Sequence, residues 1–254
     1  MIFKKTEIEE NNVGWLMTFG DMMTLILTFF VLLFSMSTMD PVKMAQMGDA
    51  MSEATGRLET KATKPMASLN EIKETLEEIV AETEMDEVAN IVWDPRGVSI
   101  ELKGDVSFAA GSTKLHPKMT ELLNIMIPEL LNNPNDLRTV IVEGHSDNQK
   151  ISGVLAKKYP TNWELSSARA SVVVNNIIEQ SIDFAGKGTI DNVYIDGRIS
   201  GRLTASGYAD QWPAEVSYAD RRSGNINDEI IKKFNSTTEL KSKNRRIKII
   251  YARQ

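Results

Sequence analysis

Apolar positions fall into two regimes along the chain. From Trp15 to Met36, "WLMTFGDMMTLILTFFVLLFSM", they are almost continuous, and beyond about residue 90 they alternate and gather in short runs. A helix of roughly 24 residues rises about 36 Å, more than the ~30 Å hydrocarbon core of a bilayer. The run from Leu16 to Met39 is that long and holds one charge, Asp21. A cleaved leader would have a shorter apolar core and a small-residue cleavage site. Here Glu7, Glu9 and Glu10 follow Lys4 and Lys5, and no such site follows the run. The pattern predicts a polar tail over 1–14 and an uncleaved membrane helix over 15–39, with Trp15 near an interface. Lys4 and Lys5 lie before the helix and only Lys43 close behind it, so the N-terminus is expected on the cytoplasmic side.

Residues 40–90 read as a polar, helical segment with little core of its own. Asp40-Pro41 marks a boundary, because proline suits the first turn of a new helix. Met44, Met47, Met51 and Ala54 then recur at helical spacing. Gly56 and the stretch from Lys61 to Pro65 interrupt the pattern. Leu69, Ile72, Leu76, Ile79 and Val80 make a second apolar stripe, which either pairs with a second copy or packs on the domain that follows.

Over 91–254 the period changes from one element to the next. "NIVWD" and "GVSIEL" flank Asp94-Pro95-Arg96-Gly97 and predict a β-hairpin. "PKMTELLNIMIPELL" predicts a helix with a proline inside it, at Pro128. "RTVIVEG" predicts a strand and "NWELSSARASVVVNNIIEQ" a helix capped by Asn162 or Ser166, while "LTASGYA" and "RRIKIIYA" predict the later strands. This order gives an α/β (α+β) sandwich. Glycines 186, 188, 197 and 201 suggest loops in 181–202, and 218–243 reads as a second long insertion.

Asp21 is the costly residue. An aspartate at the centre of a membrane helix costs about 2.5–3.5 kcal/mol on insertion scales, and such residues usually mark an ion path. At about 100° per residue, Asp21, Thr24, Thr28 and Ser35 fall within roughly 60° of one another. This polar seam should face another protein helix or a water-filled path rather than lipid. One carboxylate can bind and release a proton or a monovalent cation, but it cannot form a pore alone. A partner membrane protein is therefore implied.

Composition narrows the classes. The net charge of −6 gives no electrostatic support for a nucleic-acid partner, and with no cysteine there are no disulfides or thiolate sites. His116 and His145 lie far apart in sequence. Ser146, between His145 and Asp147, does not make a catalytic triad, because neighbours on one strand-turn do not point at one another. An enzyme is not expected, and neither a cofactor nor a bound metal is called for beyond a transported Na⁺ or H⁺.

The membrane run resembles the single membrane helix of MotB/PomB-type flagellar stator subunits. Downstream, "VEGHSD", "NWELSSARA", "SGYAD" and "NRRI" resemble the OmpA-like peptidoglycan-binding domain that those proteins carry, in the same order. The resemblance implies that Asp21 carries the translocated ion, at an interface with a MotA/PomA-type partner, usually five partner subunits around a dimer of this kind of chain. It also implies a plug just after the helix, at about Pro41 to Thr55, including Met44, Met47 and Met51. The C-terminal domain would lie in the periplasm, outside a cell inner membrane crossed once. Wall binding carries over to Asp147, for an ammonium of the diaminopimelate side chain, and to Arg169, for its carboxylate, with added hydrogen bonds from Ser146, Asn162 and Arg245. Phe19, in Thr18-Phe19-Gly20-Asp21, matches sodium-type members and favours Na⁺ over H⁺. Gly20 and Ser146 depart from the commoner residues. Two other readings fit the same residues: a MotB-like subunit of an ion-driven antiphage defence complex, which gene neighbours would reveal, and a passive OmpA-like envelope tether, against which Asp21 argues.

Overall fold

The computed structural model describes residues 14–36, 67–109, 112–131, 136–187 and 198–253, with backbone alone for 33–36 and 198. The plug positions Pro41, Met44, Met47 and Met51 lie outside the described residues, as does the side chain of Ser35. The chain divides into two units, 1–44 and 45–254.

The first unit holds helix α1, Gly14–Met36, 23 residues long. Its apolar side chains through Leu32 are exposed, among them Trp15, Phe19, Leu25 and Phe29, as expected of a helix made for lipid or for partner helices. Thr24 and Thr28 donate their hydroxyl hydrogens to the carbonyls of Gly20 and Leu25, at 2.7 and 2.9 Å. Those hydroxyls therefore satisfy their donors inside the helix and keep their oxygen lone pairs for something outside it.

The second unit is a five-stranded mixed sheet with a layer of helices. Helix α2 is Leu69–Glu82, followed by β1 (Ala89–Asp94), β2 (Gly97–Lys103), α3 (Pro117–Leu131), β3 (Val140–Gly144), α4 (Asn162–Gly186), β4 (Leu203–Gly207) and β5 (Arg246–Ala252). The strand order is β1-β2-β5-β3-β4, antiparallel except for the parallel β3/β4 pair. Helix α4 is the crossover that parallel pairing requires.

The period-two pattern sorts the sheet's faces. Val98, Ile100, Leu102, Val142, Ile247 and Ile249 point into one core with Leu69, Ile72, Leu76, Ile79 and Val80 of α2. Ser68 caps α2 in a reciprocal capping box with Glu71. The α2 stripe is thus consumed by its own domain, and residues 69–90, set in the linker by sequence, belong to the folded unit. Each of these side chains contributes about 1.5–3 kcal/mol by full burial, before entropy is charged against it.

The opposite face of the sheet is charged and also covered. Arg96 bridges Asp94 at 2.8 Å and Glu143 at 2.5 Å, and Lys248 reaches Asp94 at 2.8 Å and Glu101 at 2.9 Å. Trp212 and Tyr218 roof this network, with the Arg96 guanidinium 5.7 and 5.1 Å from their ring centres. The stretch 218–243 is not a loop. It folds into short helices at Tyr218–Arg222, Asp228–Lys233 and Thr238–Asn244, each with a side-chain cap from Ser217, Asn227 or Thr237. The first insertion likewise begins as helix, since α4 runs on to Gly186, and a further turn forms at Arg198–Arg202.

Candidate functional site

The four motifs that lie far apart in sequence meet at the C-terminal ends of β3 and β4. Their glycines make the meeting possible. Gly144 and Gly207 are register partners across β3 and β4. A Cβ on Gly144 would lie 2.1 Å from the Ser166 carbonyl, and one on Gly207 2.2 Å from the Ser167 hydroxyl. The first half of α4 therefore sits directly on the two strands, closer than any side chain would allow.

That seat fixes the loops. The Ser166 hydroxyl accepts from the Ala209 N–H at 3.0 Å, and the Ser146 N–H donates to the Ala209 carbonyl at 2.8 Å. Ala209 is held at φ 49°, a left-handed conformation that costs an alanine energy and that these two bonds impose. The cap of α4 differs from the sequence expectation. Thr161 caps it in a box with Glu164, while Asn162 is the first helical residue and Ser166 turns its hydroxyl to the Trp163 carbonyl. Freed from capping, the Asn162 amide donates to the carbonyls of Asp147 at 3.1 Å and Gln149 at 3.0 Å, tying the loop to the helix.

Asp147, Arg169 and Arg245 are brought to one place. An Asp147 carboxylate oxygen receives Arg245 at 2.6 Å, and its other oxygen accepts from the Gln149 N–H at 3.1 Å. Arg245 also lies 3.6 Å from the exposed Asp105. Arg169 is half-buried, its guanidinium 5.0 Å from the Phe108 ring centre, and it donates to the Ser112 carbonyl at 3.3 Å. Its Nε meets no hydrogen-bond partner among the described residues. Burial first, and then the Arg245 charge, hold Arg169 below the ordinary arginine value, with Asp105 and Asp147 opposing. A desolvated guanidinium beside a second cation is short of negative charge, which is what a ligand carboxylate would supply. Ser146 is buried, and its hydroxyl finds no partner among the described residues. Phe108, Ser112 and Asp105 complete the site. Sequence reading missed them because "DVSFAAGSTKL" has neither helix nor strand period, and only the fold sets it beside α4.

His145 is structural. Its ring stacks on Tyr208, with centres 5.3 Å apart, and meets Trp212 edge-on. Burial, reinforced by the Arg246 charge, lowers its pKa from 6.5 to about 3 against the opposing pull of Glu143. The folded state thus holds His145 neutral while the unfolded chain protonates it near the ordinary value. Its stabilising contribution is full above about pH 6.5 and is lost progressively as pH falls toward 3, by up to ~1.4 kcal/mol per pH unit. Asp94 and Glu143, both lowered to about 2, add their own losses only below about pH 4. Urea midpoints should therefore fall between pH 6.5 and 4.5, and His145→Phe should flatten that fall.

On α1, Asp21 shares its side of the helix with Thr24 and Thr28. Phe19 packs near Trp15, with ring centres 6.4 Å apart. Among the described residues no group of three or more His, Cys, Asp or Glu side chains is placed to hold a metal ion.

Comparison with known proteins reaches both units. A family model described as membrane MotB of the proton-channel complex MotA/MotB matches residues 3–55, and the OmpA family model matches residues 107–225. The chain is 30% identical to the Bacillus subtilis (strain 168) protein YtxE, covering 95% of this chain and 89% of that one. It is 22% identical to Motility protein B of the same organism, covering 97% and 93%. A crystal structure of a MotB-like protein from Desulfovibrio vulgaris shares the fold at a TM-score of 0.51 and 18% identity, covering 73% of this chain and 96% of that one.

Proposed function

The chain belongs to the MotB family, and we propose that it is a stator subunit in which Asp21 carries a transported ion while Asp147 and Arg169 hold the wall. Membership makes it a MotB-like stator protein with an OmpA-like peptidoglycan-binding domain, not an enzyme. One observation carries the ion half. The single charge of a 23-residue apolar helix lies beside hydroxyls whose hydrogens are already spent on their own backbone. What the seam offers outward is oxygen acceptors around a carboxylate, the ligand set of a proton or a small hard cation. It is incomplete alone, so a MotA-type membrane subunit supplies the remaining oxygens and turns against this chain as the ion passes. Two copies within five partner subunits would give each Asp21 a protein-lined path. Pro41, Met44, Met47 and Met51 form the plug that closes it before assembly.

At the wall site, Arg169 grips a carboxylate of the peptide stem and Asp147 takes its ammonium. Because Arg245 already occupies one Asp147 oxygen, the ligand ammonium shares that oxygen or moves Arg245 toward Asp105. The N-terminus is cytoplasmic, and the OmpA-like domain reaches the wall on the outer side of the membrane.

Sodium is the favoured ion on the strength of Phe19, whereas the matching family model is described by a proton channel. Swimming speed against external Na⁺ at fixed pH, in cells depending on this stator, tests the choice. Speed should rise with Na⁺ and saturate. A speed indifferent to Na⁺ but sensitive to proton uncouplers would assign the proton.

A further inference from the structure

Within 218–243 only Ile231 and Asn235 are buried. A buried isoleucine is ordinary, but a buried amide must meet its hydrogen bonds or cost stability. Asn235 lies between the short helices Asp228–Lys233 and Thr238–Asn244. Its Nδ2 donates to the Ile231 carbonyl at 2.8 Å, inside the insertion. Its Oδ1 reaches beyond the insertion, accepting from the Asn148 N–H at 3.3 Å and from the Asn244 Nδ2 at 2.9 Å. Asn244 is buried too, and its Nδ2 also donates to the Phe234 carbonyl while its Oδ1 accepts from the Ala214 N–H, each at 2.8 Å. Neither amide can turn over, because each nitrogen faces a carbonyl and each oxygen an N–H.

Asn148 follows Asp147, and Asn244 precedes Arg245. One amide oxygen thus holds the chain neighbours of both members of the Asp147–Arg245 pair, which are 98 residues apart in sequence. The turn it holds is the one that aims Asp147. Asn162 takes the carbonyls of Asp147 and Gln149, and the Gln149 N–H returns to the Asp147 carboxylate. The N–H between them, that of Asn148, is left to Asn235.

We infer that Asn235 is a positioning residue of the wall site, through which the insertion aims the Asp147 carboxylate and sets Arg245 beside it. The inference rests on the wall-binding reading above. A carboxylate on a turn already held in place does not pay for its own ordering when the ligand arrives. Without Asn235 the turn loses one of its holds, whereas Arg169 keeps its place on α4, which Gly144 and Gly207 seat. The loss should therefore fall on the ligand's ammonium and spare its carboxylate.

The test uses the full chain in detergent and two synthetic tripeptides of the wall stem. One ends in diaminopimelate, the other in 2-aminopimelate, which keeps the side-chain carboxylate and lacks the ammonium. Wild type should bind the first about tenfold more tightly, the scale of one hydrogen bond to a charged group. Asn235→Ala should narrow this gap to about twofold by weakening the diaminopimelate probe alone, as loss of preorganisation at Asp147 requires. Asn235→Ser keeps a hydroxyl for the Ile231 carbonyl and is about one bond too short for Asn148, so it should narrow the gap likewise at a smaller cost in stability. If the gap persists, if both probes weaken alike, or if neither variant folds, Asn235 only props the insertion; the inference is then overturned and the wall reading stands. If wild type binds neither probe, or both alike, Asp147 takes no ammonium and the wall reading falls with the inference.

Discussion

Cells whose only stator subunit of this type carries Asp21→Asn are expected to build flagella and not move at all. Asparagine matches aspartate in size, and α1 runs unbroken as helix through position 21, so the anchor should insert as before. What disappears is the ability to bind and release a monovalent cation, because a neutral amide neither exchanges a proton near neutral pH nor balances a sodium charge. Thr24 and Thr28 cannot substitute, since they contribute lone pairs without charge. The expected result is loss of torque rather than slowing, with membrane insertion and wall retention intact. Tethered-cell rotation measures it. Asp21→Glu keeps the charge but displaces it by one methylene, and should give reduced torque. Any steady rotation in Asp21→Asn would mean that the ion does not pass through this residue.

The second large effect lies in the wall domain. Gly144→Val should destabilise it by about 3 kcal/mol or more, at or above the upper end of what overpacking a well-packed position usually costs. The reason is specific. The clash is with the Ser166 carbonyl, a backbone atom inside α4, so no side-chain rotation relieves it. Helix α4 would have to lift off β3 and β4, taking Ser166 from Ala209 and Arg169 from Ser112. Loss of stability and loss of peptidoglycan retention should therefore come together. Denaturant unfolding followed by co-sedimentation with purified wall checks both. A variant with a wild-type unfolding midpoint and weakened wall binding would show that the glycine seat is not what positions Arg169.

How much of this was legible in the sequence depends on the length scale of the signal. The apolar N-terminal helix, the hairpin around Pro95 and the strand "VIVEG" announce themselves by local period, and within the described residues each forms there. Asp147, Arg169 and Arg245 were singled out through motif resemblance, and the fold gathers them from the loop after β3, from α4 and from the turn before β5. The role of α2 was open, because an apolar stripe does not say whether its partner is its own domain or another copy. The helices within 218–243 were missed because each is shorter than two turns and held by a cap rather than by a long apolar stripe. The charged face beneath Trp212 was invisible for a further reason. Asp94, Arg96, Glu143 and Lys248 look like ordinary surface charges until strand register sets them opposite one another under a roof.

Torque from this chain requires ions to pass Asp21, and ion uptake measures this without the motor. Vesicles holding this chain with its MotA-type partner, with residues 41–55 deleted to open the path, are given an inward Na⁺ or proton gradient. Wild type should show gradient-driven uptake that requires the partner, and Asp21→Asn should show none above empty vesicles. Equal uptake by the two would mean that ions do not pass through Asp21.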